Sequence, residues 1–251
     1  MNSLKIAIAG GTGTVGRLVV AAAKAAGHET VVLSRTNGVD LMSGIGLADA
    51  IAGADSVIDV SGPSSQSTAE SVRFFGDVTR NLLSAEQKAG VAHHVAISII
   101  GAAAVDSNYY AGKALQERLL QERAGGWSMI RTAQFHEFAA LLVQHGKVGP
   151  LQVVPTMRSQ PVAAAEVADA LLALATGEPQ GLVPDLAGPR QELMADLVRR
   201  FLAATHQPRP VLQVPLPGAW GRALRNGTLL PSPDAQLGHQ TFDDWLASQH
   251  L

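Results

Sequence analysis

The sequence predicts an α/β fold: a doubly wound parallel sheet with a small C-terminal mixed lobe. Three observations predict it. Short apolar runs alternate with stretches of helical spacing through the first 135 residues. The runs are apolar at successive positions, as in strands covered on both faces. The intervals between them suit right-handed β-α-β crossovers. With 251 residues, 47% of them hydrophobic, the chain is long enough for one large domain carrying a smaller lobe.

Each element has a local reason. "LKIAIAG" (4–10) is a short buried strand ended by glycines, and "VGRLVVAAAKAAG" (15–27) is a helix stopped by Gly27 as a C-cap. "ETVVLSR" (29–35) is the second strand. "ADSVIDVSG" (54–62) is a β-branched run ended by Ser-Gly before Pro63. A long helix follows from Thr68 to Lys88, then a strand, "HHVAISII" (93–100). "YYAGKALQERLLQE" (109–122) is helical, with Ala111, Leu115 and Leu119 on one side, and "WSMIRTA" (127–133) is a further strand. Past Gln134 the alternation weakens. The Pro- and Gly-rich stretches 145–155 and 207–218 flank an Ala-rich helix, 162–177. "TFDDWLASQHL" (241–251) reads as a terminal helix capped by Thr241, with Asp243 and Asp244 near its positive end. The predicted division is 1–135 as the sheet domain and 136–251 as a mixed segment that contributes to the sheet and forms a small lobe.

Composition excludes several classes. Lys and Arg number 19 against 21 Asp and Glu, a net charge of −2 with no basic run, which argues against a nucleic-acid partner. The absence of cysteine excludes disulfides, thiolate metal sites and cysteine nucleophiles. No apolar window reaches membrane-spanning length, and "MNSLKIAIAGG" meets glycines before any export-length stretch. The expectation is a cytoplasmic protein with a small-molecule substrate and no membrane partner, a monomer or homodimer.

The motif with most chemical content is "AGGTGTVG" (9–16), with Gly10, Gly13 and Gly16 between the first strand and the first helix. Such a loop lets the chain turn tightly, lets backbone approach a pyrophosphate, and lets the helix pack close to the sheet. The helix N-terminus then stabilises phosphate charge, and Thr12 and Thr14 add hydroxyl donors. This strand–loop–helix context marks 1–135 as a Rossmann-type dinucleotide-binding domain. At the end of the second strand an NAD-binder places a carboxylate for the ribose hydroxyls. Here Ser34 and Arg35 stand there, while Glu29 lies at the strand's beginning. A guanidinium in that place suits the 2′-phosphate of NADP. NADP is therefore favoured over NAD, against the alternative of an arginine solvated on a loop.

Ser98 closes the strand 93–100, and Tyr109 and Lys113 lie one turn apart on the next helix. Ligands of a doubly wound sheet sit beyond the carboxyl ends of its strands, where these residues fall. A tyrosine with a free pKa of about 10 needs a nearby cation to act as an acid–base group. With Lys113 beside it, Tyr109 can exchange a proton with a carbonyl oxygen while hydride moves at carbon, and Ser98 can orient that oxygen. Whether Tyr109 or Tyr110 faces the cleft stays open at this level.

Together these pieces resemble the short-chain dehydrogenase/reductase superfamily, and more closely its atypical, NmrA-like branch. The resemblance rests on "AGGTGTVG" (9–16), "VVLSR" (31–35), "GVDL" (38–41), "AISIIG" (96–101), "YYAGKALQE" (109–117) and "MIRTAQFHEF" (129–138), with "PVAAAEVADAL" (161–171) and "LAGP" (186–189) in support. It implies that Gly10, Thr12, Gly13, Thr14, Val15 and Gly16 bind the pyrophosphate and that Ser34 and Arg35 meet the 2′-phosphate. It also implies Asp40 near the adenine, Ser61 and Gly62 near the central ribose, Lys113 on the cofactor, and Gln134 and Phe135 beside nicotinamide and substrate. In this branch the Tyr–Lys pair is often lost, and some members bind cofactor without turnover. This chain keeps the pair but has a short Ser98-to-Tyr109 interval. The expected activity is hydride transfer between the nicotinamide of NADP(H) and a small carbonyl, enone or quinone. A redox-sensing regulator that binds NADP(H) without turnover is the alternative, and a sugar-nucleotide epimerase a further one.

No metal is expected. "HEFAA" (136–140) has Ala140 where a zinc-protease helix needs its second histidine, and His93 and His94 open a strand whose side chains alternate in direction.

Overall fold

The computed structural model describes residues 3–65 and 67–249. It divides into two compact units. The first runs through Arg131 and takes back Ala165–Val183, and the second comprises Thr132–Ala164 and the chain from Pro184 onward.

The first unit contains β1 (Lys5–Ala9), α1 (Thr14–Ala25), β2 (Glu29–Leu33), α2 (Leu47–Ala50), β3 (Ser56–Asp59), α3 (Thr68–Ala89), β4 (His93–Ile99), α4 (Asn108–Gln121) and β5 (Gly126–Thr132). The sheet order β5-β4-β3-β1-β2 is that of a doubly wound α/β fold. The pairings of β1 with β2 and β3, and of β3 with β4, are all parallel. Along β1, Ile6, Ala7, Ile8 and Ala9 are all fully buried, which is the continuous apolar run expected of a strand covered on both faces. On one face Ala7, Ala9, Leu33 and Val57 pack with Leu47 and Ile51, and with Val78, Leu82 and Ala85 of α3.

The second unit contains α5 (Phe138–His145), β6 (Lys147–Val148), β7 (Leu151–Pro155) and β8 (Arg158–Ser159). Then comes α6 (Ala164–Ala175), whose body belongs to the first unit together with β9 (Gly181–Leu182). The rest is β10 (Leu186–Ala187), β11 (Glu192–Leu193), α7 (Met194–Ala204), β12 (Val211–Val214), α8 (Gly218–Asn226), β13 (Gln236–Leu237) and α9 (Phe242–Ser248). β7 lies between β12 and β6 in a small mixed sheet, and Leu186 of β10 pairs with Thr132. His136, Phe201, Phe242 and Trp245 form an aromatic cluster. The predicted cap of the last helix forms fully: Thr241 and Asp244 each accept the other's backbone N–H. The predicted end of that helix at 250–251 lies outside the described residues.

The chain leaves the first unit after Arg131 and later returns to it, because β9 finds its hydrogen-bond partner in Ser128 and Met129 of β5. Among the described residues no helix is long and apolar enough to cross a membrane.

Candidate active site

The glycine loop is built at the carboxyl end of β1. Gly10 has φ +80°, and a Cβ there would stand 2.8 Å from the Ser61 backbone, so only glycine lets the loop lie against the end of β3. Gly13 N donates to Gly10 O at 2.9 Å and closes the turn. Val15 and Gly16 are buried under the first turn of α1, while Thr12, Gly13 and Thr14 are exposed. No side chain caps α1, so its first N–H groups face the loop's open lip. An exposed, uncapped helix start above a glycine turn fits a pyrophosphate.

Arg17 is a cation at this loop that the motif did not reveal. Its Nη1 donates to Thr12 O at 2.8 Å, folding a guanidinium back over the lip. Ala9 is in register with Leu33, and a Cβ on Gly11 would meet Val32 Cγ1 at 2.9 Å, so this lip lies against the end of β2. Ser34 and Arg35 follow there. Ser34 Oγ and Thr36 Oγ1 are 2.9 Å apart, and Arg35 is exposed at the start of a short 3₁₀ turn. Asp40 closes the next loop on itself: Oδ1 accepts from Met42 N at 3.0 Å and Oδ2 from Ser43 Oγ at 2.9 Å. The Ser43 and Met42 bonds hold its carboxyl below the usual range, and Arg35 adds to this. Asn81 of α3 pins the same loop by donating to Leu41 O and Met42 O.

α4 carries Tyr109 and Lys113, and its sequence explains how it sits so close to α3. Gly112 faces α3, where a Cβ would come 2.5 Å from Ser71 O. Phe75 of α3 then meets the Tyr109 ring edge-on at 5.2 Å. Tyr109 is half-buried, and its hydroxyl lies 3.9 Å from where a Cβ of Gly62 would stand, at the end of β3. Tyr110 is buried, 5% exposed, so Tyr109 is the tyrosine whose hydroxyl reaches the chain after β3. Burial raises the Tyr109 pKa, and the charge of Asp59 and then Tyr110 raise it further, so the phenol is held protonated.

Lys113 is 1% exposed and donates to Ile97 O at 2.8 Å and Gln116 Oε1 at 2.9 Å. Its Nζ lies 4.3 Å from the Phe75 ring centroid and 5.8 Å from that of Tyr109. Burial lowers its pKa to about 8, while Asp59 and Glu117 pull the other way.

Ser98, which the sequence reads as orienting a substrate oxygen, has its hydroxyl engaged within the protein. Its single hydroxyl proton goes to Glu117 Oε1 at 2.6 Å, and Glu117 is held by Arg131 through Nε at 2.9 Å and Nη2 at 2.6 Å. A proton given to that carboxylate does not orient a substrate oxygen. The cause is Glu117, one turn past Lys113 on the same buried face. Both its oxygens accept from Arg131, and Oε1 accepts from Ser98 as well. Ser61 is buried, and both its N–H and its hydroxyl donate to Asp59 Oδ1, at 2.9 and 2.6 Å. Gln134 and Phe135 belong to the second unit, where Ser159 Oγ donates to Gln134 Oε1 and Phe135 bridges to Val162. His136 packs among Phe242 and Trp245. His93 pairs with Ser128 and His94 with Glu86, so the two neighbouring histidines share no ligand geometry.

A family model described as NAD(P)H-binding matches residues 10–178, from the first glycine of the loop to beyond α6. No curated protein matches the chain. Among solved structures the fold is similar to a short-chain dehydrogenase/reductase superfamily protein from Agrobacterium tumefaciens with bound NAD (19% identity, 97% of this chain and 95% of that one, TM-score 0.68). It is also similar to the UDP-glucose 4-epimerase of Thermus thermophilus in complex with NAD (18% identity, 83% and 86%, TM-score 0.68). A third is a dTDP-4-dehydrorhamnose reductase from Clostridium acetobutylicum (16% identity, 84% of each chain, TM-score 0.70). At these identities the likeness is one of fold. The family model spans most of the chain and begins at the loop whose geometry fits a pyrophosphate, and so the chain belongs to the NAD(P)H-binding family.

Proposed function

We propose that the protein is an NADP-dependent oxidoreductase that reduces a small carbonyl, enone or quinone, with Tyr109 as proton donor. The observation that carries this reading is Tyr109 itself. Its hydroxyl lies at the end of β3 beside the glycine loop, and burial and Asp59 keep its proton on. A phenol held protonated suits reduction, in which the substrate oxygen gains a proton, better than alcohol oxidation, in which a phenolate must take one.

The chain's own groups divide the work. The loop from Gly10 to Gly16 and the start of α1 hold the pyrophosphate. Arg35, Ser34 and Arg17 hold the 2′-phosphate, which is why NADP is preferred here although two of the similar structures hold NAD. When bound, NADPH supplies the hydride. Tyr109 gives its phenolic proton to the substrate oxygen as that oxygen gains charge. The Lys113 ammonium beside the ring stabilises the phenolate until solvent returns the proton.

Ser98 favours the second reading, a regulator that binds NADP(H) without turnover, because its proton is committed to Glu117 and one donor to the substrate oxygen is lost. One experiment decides between the two. Purified protein is mixed with NADPH and a panel of aldehydes, enones and quinones, and nicotinamide absorbance is followed. The expected result is consumption with at least one substrate, with Tyr109→Phe binding NADPH as before but turning over about 100-fold more slowly or worse. Full turnover by Tyr109→Phe rejects the proton-donor role, and binding without consumption across the panel favours the regulator.

A further inference from the structure

Lys113 heads a row of three buried side chains that runs from α4 to the end of β3. Its Nζ donates to Gln116 Oε1 at 2.9 Å, and Gln116 Nε2 donates to Asp59 Oδ2 at 2.8 Å. Gln116 and Asp59 are both fully buried, and the other Asp59 oxygen is taken by Ser61. The partners determine the sense of the amide. An ammonium has only donors and an ionised carboxylate only acceptors, so Gln116 satisfies both only with its oxygen toward Lys113 and its nitrogen toward Asp59. A reversed amide would set donor against donor and acceptor against acceptor among fully buried groups.

The geometry points to Asp59 and Gln116 as positioning residues of the oxidoreductase site: the Asp59 carboxylate sets the sense of the Gln116 amide, and that amide's oxygen keeps Lys113 an ammonium beside the Tyr109 ring. The inference rests on reading Tyr109 and Lys113 as the reacting pair. The groups facing Lys113 from each packed element are consistent with it. α3 presents the Phe75 ring, and β4 the Ile97 carbonyl, with Ser98 bound to Glu117. α4 presents Tyr109, Gln116 and Glu117, the last in an ion pair with Arg131 of β5. β3 presents Asp59, which has no cation at ion-pair distance among the described residues. Asp59 is thus the carboxylate whose charge is left to act on Lys113, and the amide transmits it.

The arrangement makes a specific demand on variants. In Asp59→Asn the new amide keeps its oxygen for Ser61 and turns its NH₂ toward Gln116. Two NH₂ groups then meet, Gln116 reverses, and Lys113 faces donors and loses a nearby negative charge. Both changes favour neutral lysine. Adding Gln116→Glu moves the carboxylate one residue along the row, where it accepts from the new amide and from Lys113 together.

The test is a carbon-13 NMR titration of the Lys113 Cε resonance, assigned by its loss in Lys113→Met. It compares the wild type, Asp59→Asn, and the double variant Asp59→Asn with Gln116→Glu. The expected midpoint falls by about one pH unit or more in Asp59→Asn and returns to the wild-type value or above in the double variant. The basic limb of kcat/KM for NADPH-dependent reduction moves in the same order. A merely structural role would leave the midpoint in place. An unchanged midpoint in Asp59→Asn, or no recovery in the double variant, overturns the inference. Should Asp59→Asn fail to fold, Gln116→Met takes its place: its midpoint is expected to fall, and an unchanged one overturns the inference equally. The titration needs no turnover, so a wild-type protein that never consumes NADPH defeats the reductase reading alone.

Discussion

Two arginines at the glycine loop differ in how they are held. Arg17 is tethered to the loop through Thr12 O, while Arg35 projects from the turn after β2 beside Ser34. A tethered guanidinium loses less freedom when an anion arrives, so Arg17 is placed to add to binding without a large ordering cost. Charge-assisted hydrogen bonds of this kind contribute about 1.5–3 kcal/mol, roughly a tenfold to hundredfold change in affinity. Arg35→Ala is expected to weaken NADPH binding by that factor and leave NADH binding nearly unchanged, as read by nicotinamide fluorescence titration. Arg17→Ala is expected to weaken both cofactors, NADPH more, because it also loosens the loop proposed to hold the pyrophosphate. Equal losses for NADPH and NADH in Arg35→Ala would remove the 2′-phosphate role.

At the scale of elements, the approach of α4 to α3 places Tyr109 and Lys113, the pair proposed to react. Gly112 and Ser71 set that approach, and Phe75 packs against both Tyr109 and Lys113. Gly112→Ala would drive a methyl into the Ser71 carbonyl at 2.5 Å, and backbone cannot move aside as a flexible side chain does. Any gain in helix propensity, about 1 kcal/mol, is outweighed by overpacking, which costs about 1–3 kcal/mol. The expected result is a lower urea midpoint with an unchanged m value, together with slower turnover as Tyr109 shifts away from Gly62. A midpoint equal to or above wild type would show that the two helices separate without strain.

At the scale of the whole molecule, the buried Lys113 leaves a signature in the pH dependence of stability. Its folded pKa is about 8 against 10.5 for the free side chain, so between these values the unfolded chain binds more protons than the folded one. Stability therefore rises with pH across this window and gains nothing from Lys113 below it. The full shift corresponds to about 3 kcal/mol at most. Above pH 10 the trend turns, because tyrosine ionises in the unfolded chain while Tyr109 stays protonated in the fold. Urea unfolding at pH 7.5, 8.5 and 9.5 is expected to show the rise in wild type and its loss in Lys113→Met. A flat wild-type profile would mean that Lys113 is not held as a buried ammonium.

The sequence by itself determined the α/β alternation, the strands buried on both faces, the glycine loop and the one-turn spacing of Tyr109 and Lys113. Each of these is a local pattern, set by periodicity, turn chemistry and the fixed geometry of a helix. Only the tertiary structure decided what depends on partners distant in the chain. Tyr109 was separated from Tyr110 by the packing of α4 on α3. Ser98 was claimed by Glu117 and Arg131, Asp40 by its own loop under Asn81, and Lys113 by Gln116 and Asp59. The return of Ala165–Val183 to the first unit also depends on such a partner, since β9 needs the free edge of β5. A buried polar group must find a partner wherever the fold offers one, and no local spacing records which partner that will be.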